Sequence, residues 1–153
     1  MTEPCSRDRD YLLTVEDIKN WEKKHGTIPE NVWVIMYTGI DTRYYPDKEK
    51  VIGTSKTGEA AIPELHFPGF SPESARFLTT ERDITGIAID TPSNDYGQSK
   101  EFKVHRILFA ADKVALENIA RLDQLTESGA TLYVMPMMIE EGTGVPAWVF
   151  VVF

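Results

Sequence analysis

Apolar positions along this chain fall into short runs separated by polar, proline-bearing or glycine-bearing stretches, and the spacing within each run predicts its element. Residues 32–37 form a continuous β-branched and aromatic run, which predicts a strand buried on both faces. A second run, residues 84–89, predicts another strand and ends in polar Asp90, Thr91, Ser93 and Asp95. A third, residues 104–109, reads as a strand with His105 near its start. Beyond it, Leu116, Ile119, Leu122 and Leu125 recur every three residues and predict a helix, with Glu117 and Asn118 at its mouth. Polar groups gathered where apolar runs end are how a site at strand termini looks.

The remaining elements carry their own punctuation. Thr14 followed by Glu16 and Asp17 predicts an N-cap with acidic residues in the first turn, and Gly26 predicts the helix stop. Val15, Ile18 and Trp21 would be its buried face. Ser71-Pro72 predicts a second capped helix that ends near Thr80. Residues 41–64 read as an irregular loop with a helical turn at 47–51. Residues 131–138 and 145–153 are two more apolar runs around a turn at Glu140 to Gly144. Strict alternation in the last run puts Trp148, Phe150 and Val152 on one face and Val149, Val151 and Phe153 on the other. Both faces then need a cover, from the chain's own core or from another subunit.

Composition narrows the partners. The 153 residues are 42% hydrophobic, enough for one core, which predicts a single domain over residues 11–153 behind a loosely held tail at residues 1–10. A formal charge of −8 without clusters of Lys and Arg argues against nucleic acid and anionic membrane surfaces. Cys5 is the one cysteine, so an intrachain disulfide and a cysteine-based zinc site are both excluded. With no apolar leader, the expectation is a cytoplasmic protein.

Three histidines are available. His25 follows lysines at a helix C-terminus, where the dipole favours a cation, and is read as structural. His66 sits between apolar neighbours and is read as a pocket or packing residue. Asp90 and Ser93 read either as turn residues that satisfy local backbone or as groups that orient a histidine.

Several segments together resemble one family. They are residues 66–71 (His-Phe-Pro-Gly-Phe-Ser), residues 86–93 (Gly-Ile-Ala-Ile-Asp-Thr-Pro-Ser), His105 with Glu117-Asn118, and residues 142–146 (Gly-Thr-Gly-Val-Pro), with weaker likeness at 12–21 and 37–39. The chain resembles the cyclase family of metal-dependent hydrolases, which includes the bacterial kynurenine formamidases. The resemblance implies an α/β domain of the swivelling β/β/α type, here truncated to the C-terminal part of the family fold, with a mixed sheet and packed helices. It also implies His105 and Glu117 as ligands of a divalent metal, zinc or manganese, with His66, Asp90, Ser93 and Asn118 around them. The family's first metal segment, His-x-Gly-Thr-His-x-Asp, does not occur in these 153 residues, nor does the catalytic histidine that follows it. Ile40 stands where the family has a tryptophan after Thr-Gly, and no arginine follows Pro146.

An incomplete metal site leaves alternatives open: a hydrolase of small amides, a non-catalytic remnant that binds a small molecule, or an interaction module that needs a partner chain. A sheet short of strands predicts a homo-oligomer, a dimer or tetramer.

Overall fold

The computed structural model describes residues 8–153. Cys5 and most of the expected tail lie outside them. The chain forms two compact units, one running to Asp123 and one from Gln124 to Phe153.

The first unit is built on parallel strands. β2 (Trp33–Met36), β4 (Gly86–Ile89) and β5 (Val114–Leu116) form a three-stranded sheet with β4 in the middle. Trp33 pairs with Gly86, and Gly86 with Val114. β4 is buried along its whole length, as an all-apolar central strand requires. Gly86 is obligatory there, because a Cβ would run into the Val114 carbonyl and the Trp33 ring. A smaller parallel pair joins β1 (Leu12–Leu13) to β3 (Gly69–Phe70).

Helices close over these strands. α1 (Val15–His25) starts with a full capping box: Asp17 N–H donates to Thr14 Oγ1 at 3.2 Å and Thr14 N–H to Asp17 Oδ2 at 2.8 Å. It ends at Gly26, φ +90°. Trp21 stacks on His25 at 4.6 Å between ring centres. α2 (Ile40–Tyr44) and α3 (Lys48–Ile52) are single turns, and a 3-10 helix spans Gly58–Glu64. α4 (Pro72–Thr80) begins at Ser71, whose Oγ accepts from Ser74 N–H at 3.0 Å. The core gathers Ile18, Met36, Phe70, Leu78, Ile87, Ile89, Val104 and Leu108. Glu22 ties the end of α1 to the segment after α4 through a two-point pair with Arg82, at 2.6 and 2.9 Å.

Two predicted elements change type. Residues 104–109 are not a strand: they lie in α5 (Lys103–Ala110). Val104 and Leu108 are fully buried one turn apart, the helical spacing, while β-branched and aromatic content imitated a strand. The helix predicted beyond Glu117 is instead β5 followed by a single 3-10 turn at Leu122–Gln124. Asn118 (φ +54°) and Arg121 (φ +61°) take left-handed conformations that no helix continues through.

The second unit is a hairpin. β6 (Thr131–Pro136) and β7 (Ala147–Val152) pair antiparallel, with Tyr133 opposite Phe150 and Met135 opposite Trp148. Among the described residues no helix is long and apolar enough to cross a membrane.

Candidate functional site

β4 runs out at Ile89, and residues 90–102 form a loop at the carboxyl end of the parallel sheet, where α/β folds place their sites. Backbone contacts fix this loop. Phe70 N–H donates to Asn94 O at 2.8 Å, and Thr91 Oγ1 donates to Ser93 O at 2.9 Å. The segment after β5 is laid alongside it, since Asn118 N–H donates to Thr91 O at 2.9 Å and Ile119 N–H to Ile89 O at 3.1 Å. That pairing sets Glu117 beside Asn94.

Asp95 organises the next step. Its carboxylate accepts from the N–H groups of Val104 and His105, at 3.1 and 3.2 Å, and so caps α5 from eight residues before its first turn. Phe102 stands at the cap position, φ +48°, with no side-chain oxygen of its own to offer. Oδ2 of Asp95 also reaches His105 Nδ1 at 2.7 Å. The other ring nitrogen, Nε2, meets Glu117 Oε1 at 3.0 Å. Asn94 steadies that same oxygen with its N–H at 2.9 Å and Nδ2 at 3.3 Å.

The result is an imidazole held between two carboxylates. The bond to Asp95, and then that to Glu117, push His105 up to about 9 from 6.5, against the opposing effect of burial. Burial, the largest single influence, works to raise both carboxylates, but the hydrogen bonds they accept together outweigh it, from His105 and Val104 for Asp95 and from His105 and Asn94 for Glu117, and hold both below their ordinary values. Asn94 Oδ1 is buried without a hydrogen-bond partner, a polar atom left available beside Glu117.

A pH dependence of stability follows for the metal-free chain. His105 is raised on folding, so its contribution is complete below pH 6.5 and is lost as the pH climbs to about 9. Asp95 and Glu117 are lowered, so theirs is present above the ordinary carboxylate range and is lost in acid. Urea denaturation should therefore show stability falling between pH 6.5 and 9 by up to about 3 kcal/mol. His105→Gln should flatten that limb; a wild-type profile already flat there contradicts the assignment.

The other sequence candidates are placed elsewhere. Asp90 accepts from the N–H groups of Thr38, Gly39 and Ile40 at 2.8, 2.8 and 3.1 Å, and so closes the start of α2. Burial raises its pKa, with Asp41 adding to the effect. Ser93 Oγ accepts from Asp95 N–H at 3.2 Å and thereby supports the residue that grips His105. Asn118 contributes backbone only. His66 bonds to Asp10 at 2.8 Å and to Gln98 at 3.1 Å, in a cluster that includes neither His105 nor Glu117. Sequence reasoning named Asp95 only among the polar residues at the strand end and passed over Asn94. The signal was there: an Asx pair directly after a strand-end turn.

A nitrogen and a carboxylate oxygen that meet at one point suit a zinc or manganese ion as part of a donor set. They are two ligands, and among the described residues no group of three or more His, Cys, Asp or Glu side chains is arranged to hold a metal. The residues fit such an ion as half of a site.

Comparison with known proteins places the chain. The "Putative cyclase" family model matches residues 1–96, more than half of the chain. The chain belongs to the cyclase family. Isatin hydrolase of Roseibium aggregatum is 34% identical over 150 residues, which cover 93% of this chain and 54% of that protein. Kynurenine formamidase of Bordetella pertussis is 32% identical over 80 residues, 52% of this chain and 37% of that one. Among solved structures, isatin hydrolase A from Labrenzia aggregata superposes with a TM-score of 0.87 at 35% identity, over 98% of this chain and 57% of that one. The isatin hydrolase A of Ralstonia solanacearum gives 0.87 at 30% identity, over 97% and 55%. This cyclase-family chain thus spans about half the length of the isatin hydrolases it matches. His105 and Glu117 lie beyond residue 96, so the family match does not itself bear on them.

Proposed function

We propose that this chain carries half of the metal centre of a hydrolase that cleaves the C–N bond of a small cyclic or formyl amide, with His105 and Glu117 as its two ligands. The observation that carries this reading is the meeting of His105 Nε2 and Glu117 Oε1 at 3.0 Å. Similarity to isatin hydrolase, and over a shorter stretch to kynurenine formamidase, supplies the substrate class. Half-exposed Phe102 and Phe109 stand edge-on to the imidazole, at 6.2 and 5.6 Å, and offer an aromatic substrate an apolar wall.

A bound zinc or manganese ion would supply Lewis-acid polarisation of the amide carbonyl and a water of lowered pKa. The chain's own part is orientation. Asp95 accepts a hydrogen bond from Nδ1–H, so that an ion taking the place of the proton between Nε2 and Glu117 would find the Nε2 lone pair, while Asn94 holds the Glu117 oxygen in place. A centre of this kind takes at least three protein ligands. The remaining donors must come from another polypeptide segment, such as a partner chain.

One observation favours a second reading, a metal-free module that binds a small molecule or serves in assembly. A protonated His105 is already satisfied by two carboxylates.

The test is hydrolysis of isatin and of N-formylkynurenine with excess zinc or manganese. Turnover, with the chain alone or with a partner added, is expected to fall to background in His105→Ala. Turnover that survives the substitution would overturn the reading.

A further inference from the structure

Where α4 and α5 lie side by side they leave a groove of about 530 Å³. Arg76 lines it from α4 and Arg106 from α5, Lys103 stands beside them, and Pro72, Ile107 and Ala110 give it apolar walls. Helical spacing brings these residues onto facing sides. Pro72 and Arg76 are four apart on α4, while Lys103, Arg106, Ile107 and Ala110 follow at intervals of three and four on α5. Arg106 directly follows His105, so it points roughly 100° further round the helix, and the groove opens on a different side of α5 from the imidazole.

The charges in the groove run against the rest of the chain. Acidic residues outnumber basic ones by 24 to 16, yet no carboxylate lines it among the described residues. Lys103 opens α5 at the positive end of the helix dipole, with no acidic residue in that first turn. Arg106 follows at the three-residue spacing where like charges repel, and it works against the charge on Lys103. Glu101 answers Lys103 at 2.8 Å, with Glu73 adding a weaker attraction. The arginines have no such answer. Glu101 attracts Arg106 only from a distance, and among the described residues neither exposed guanidinium makes a hydrogen bond or a salt bridge.

Two guanidinium forks with all their donors unspent suit the oxygens of a carboxylate or a phosphate. The volume is that of a small-molecule site. A long polyanion would have to lie across the acidic remainder of the surface, so charge selects a small anion instead. Pro72, Ile107 and Ala110 offer contact to an apolar body attached to the anionic group. We infer that the groove between α4 and α5 binds a small molecule made of an oxyanion on a short apolar body, with Arg76 and Arg106 holding the oxyanion. The site requires neither His105 nor Glu117, so it stands apart from the metal reading.

Amide chemical shifts of the full chain at low ionic strength test it, with benzoate and phenyl phosphate as probes and inorganic phosphate as the anion without an apolar body. At least one probe is expected to shift the amides of residues 72–80 and 103–111 saturably, and the tighter of the two identifies the oxyanion. Arg76→Gln and Arg106→Gln should each weaken that probe about tenfold, the loss of one charge-assisted contact, with the rest of the spectrum unchanged. Lys24→Gln removes the same charge from the exposed end of α1 and should leave binding as it was. Inorganic phosphate should bind more weakly than the better probe. Shifts that never saturate, or binding that survives both arginine substitutions, would overturn the site. Inorganic phosphate that binds as tightly as the better probe would overturn the ligand class, because the apolar walls would then contribute nothing.

Discussion

Asp95→Ala should unfold the site from its centre, with a stability loss of about 3–5 kcal/mol, the cost of removing one partner of a buried charge pair. The carboxylate is 4% exposed and serves four groups at once: the N–H groups of Val104 and His105, the hydroxyl of Ser99 at 3.1 Å, and the imidazole of His105. Alanine leaves the first turn of α5 uncapped and the imidazole with one carboxylate. α5 supplies Val104 and Leu108 to the core, so loosening its start reaches the main cluster. Asp95→Asn separates the two roles. Its amide oxygen can still accept from the helix, but it brings no charge, so His105 should titrate well below its wild-type value of about 9 while much of the stability remains. Urea melts combined with NMR titration of His105 check both. An Asp95→Ala protein as stable as the wild type would remove Asp95 from its central place.

Gly69→Ala should do comparable damage from the other side of the loop. A Cβ on Gly69 would sit 2.5 Å from Tyr96 N, 2.7 Å from Asn94 O and 2.7 Å from the Asp95 carbonyl carbon. All three are backbone atoms, so no side chain can swing away. Either β3 or the 94–96 loop must shift, at a cost of about 3 kcal/mol. The shift would carry Asn94 and Asp95 with it, and His105 should lose much of its raised pKa along with the stability. Gly144→Ala is the control: nothing lies within 4 Å of a Cβ there, and the melt should be unchanged. A Gly69→Ala protein with wild-type stability and wild-type His105 titration would show that the loop is not wedged as described.

Local signals in the sequence were sufficient where the physics is local. Thr14 with Asp17 and Ser71 with Pro72 mark their helix starts because cap and first turn lie within a few residues. The apolar run ending at Ile89 and the polar loop after it likewise mark β4 and its end. α5 was misread because its cap comes from Asp95, across a loop, and its β-branched and aromatic residues imitate a strand. The helix expected beyond Glu117 fails for the converse reason: the three-residue apolar repeat is interrupted by left-handed Asn118 and Arg121, in a segment whose N–H groups go to Thr91 (from Asn118), Ile89 (from Ile119) and Asp41 (from Arg121), far earlier in the chain. That His105 and Glu117 meet came from the family resemblance rather than from periodicity. Eleven intervening positions, part helix and part strand, give no spacing rule that would have brought them together.

The most direct measurement is a zinc titration of the purified chain followed through the ring signals of its three histidines, His25, His66 and His105. The account predicts that His105 alone shifts, saturably and weakly, as an ion displaces its proton between Nε2 and Glu117, and that Glu117→Gln abolishes the shift. An unmoved His105, or zinc that perturbs only His25 or His66, would contradict the claim that His105 and Glu117 form half of a metal centre.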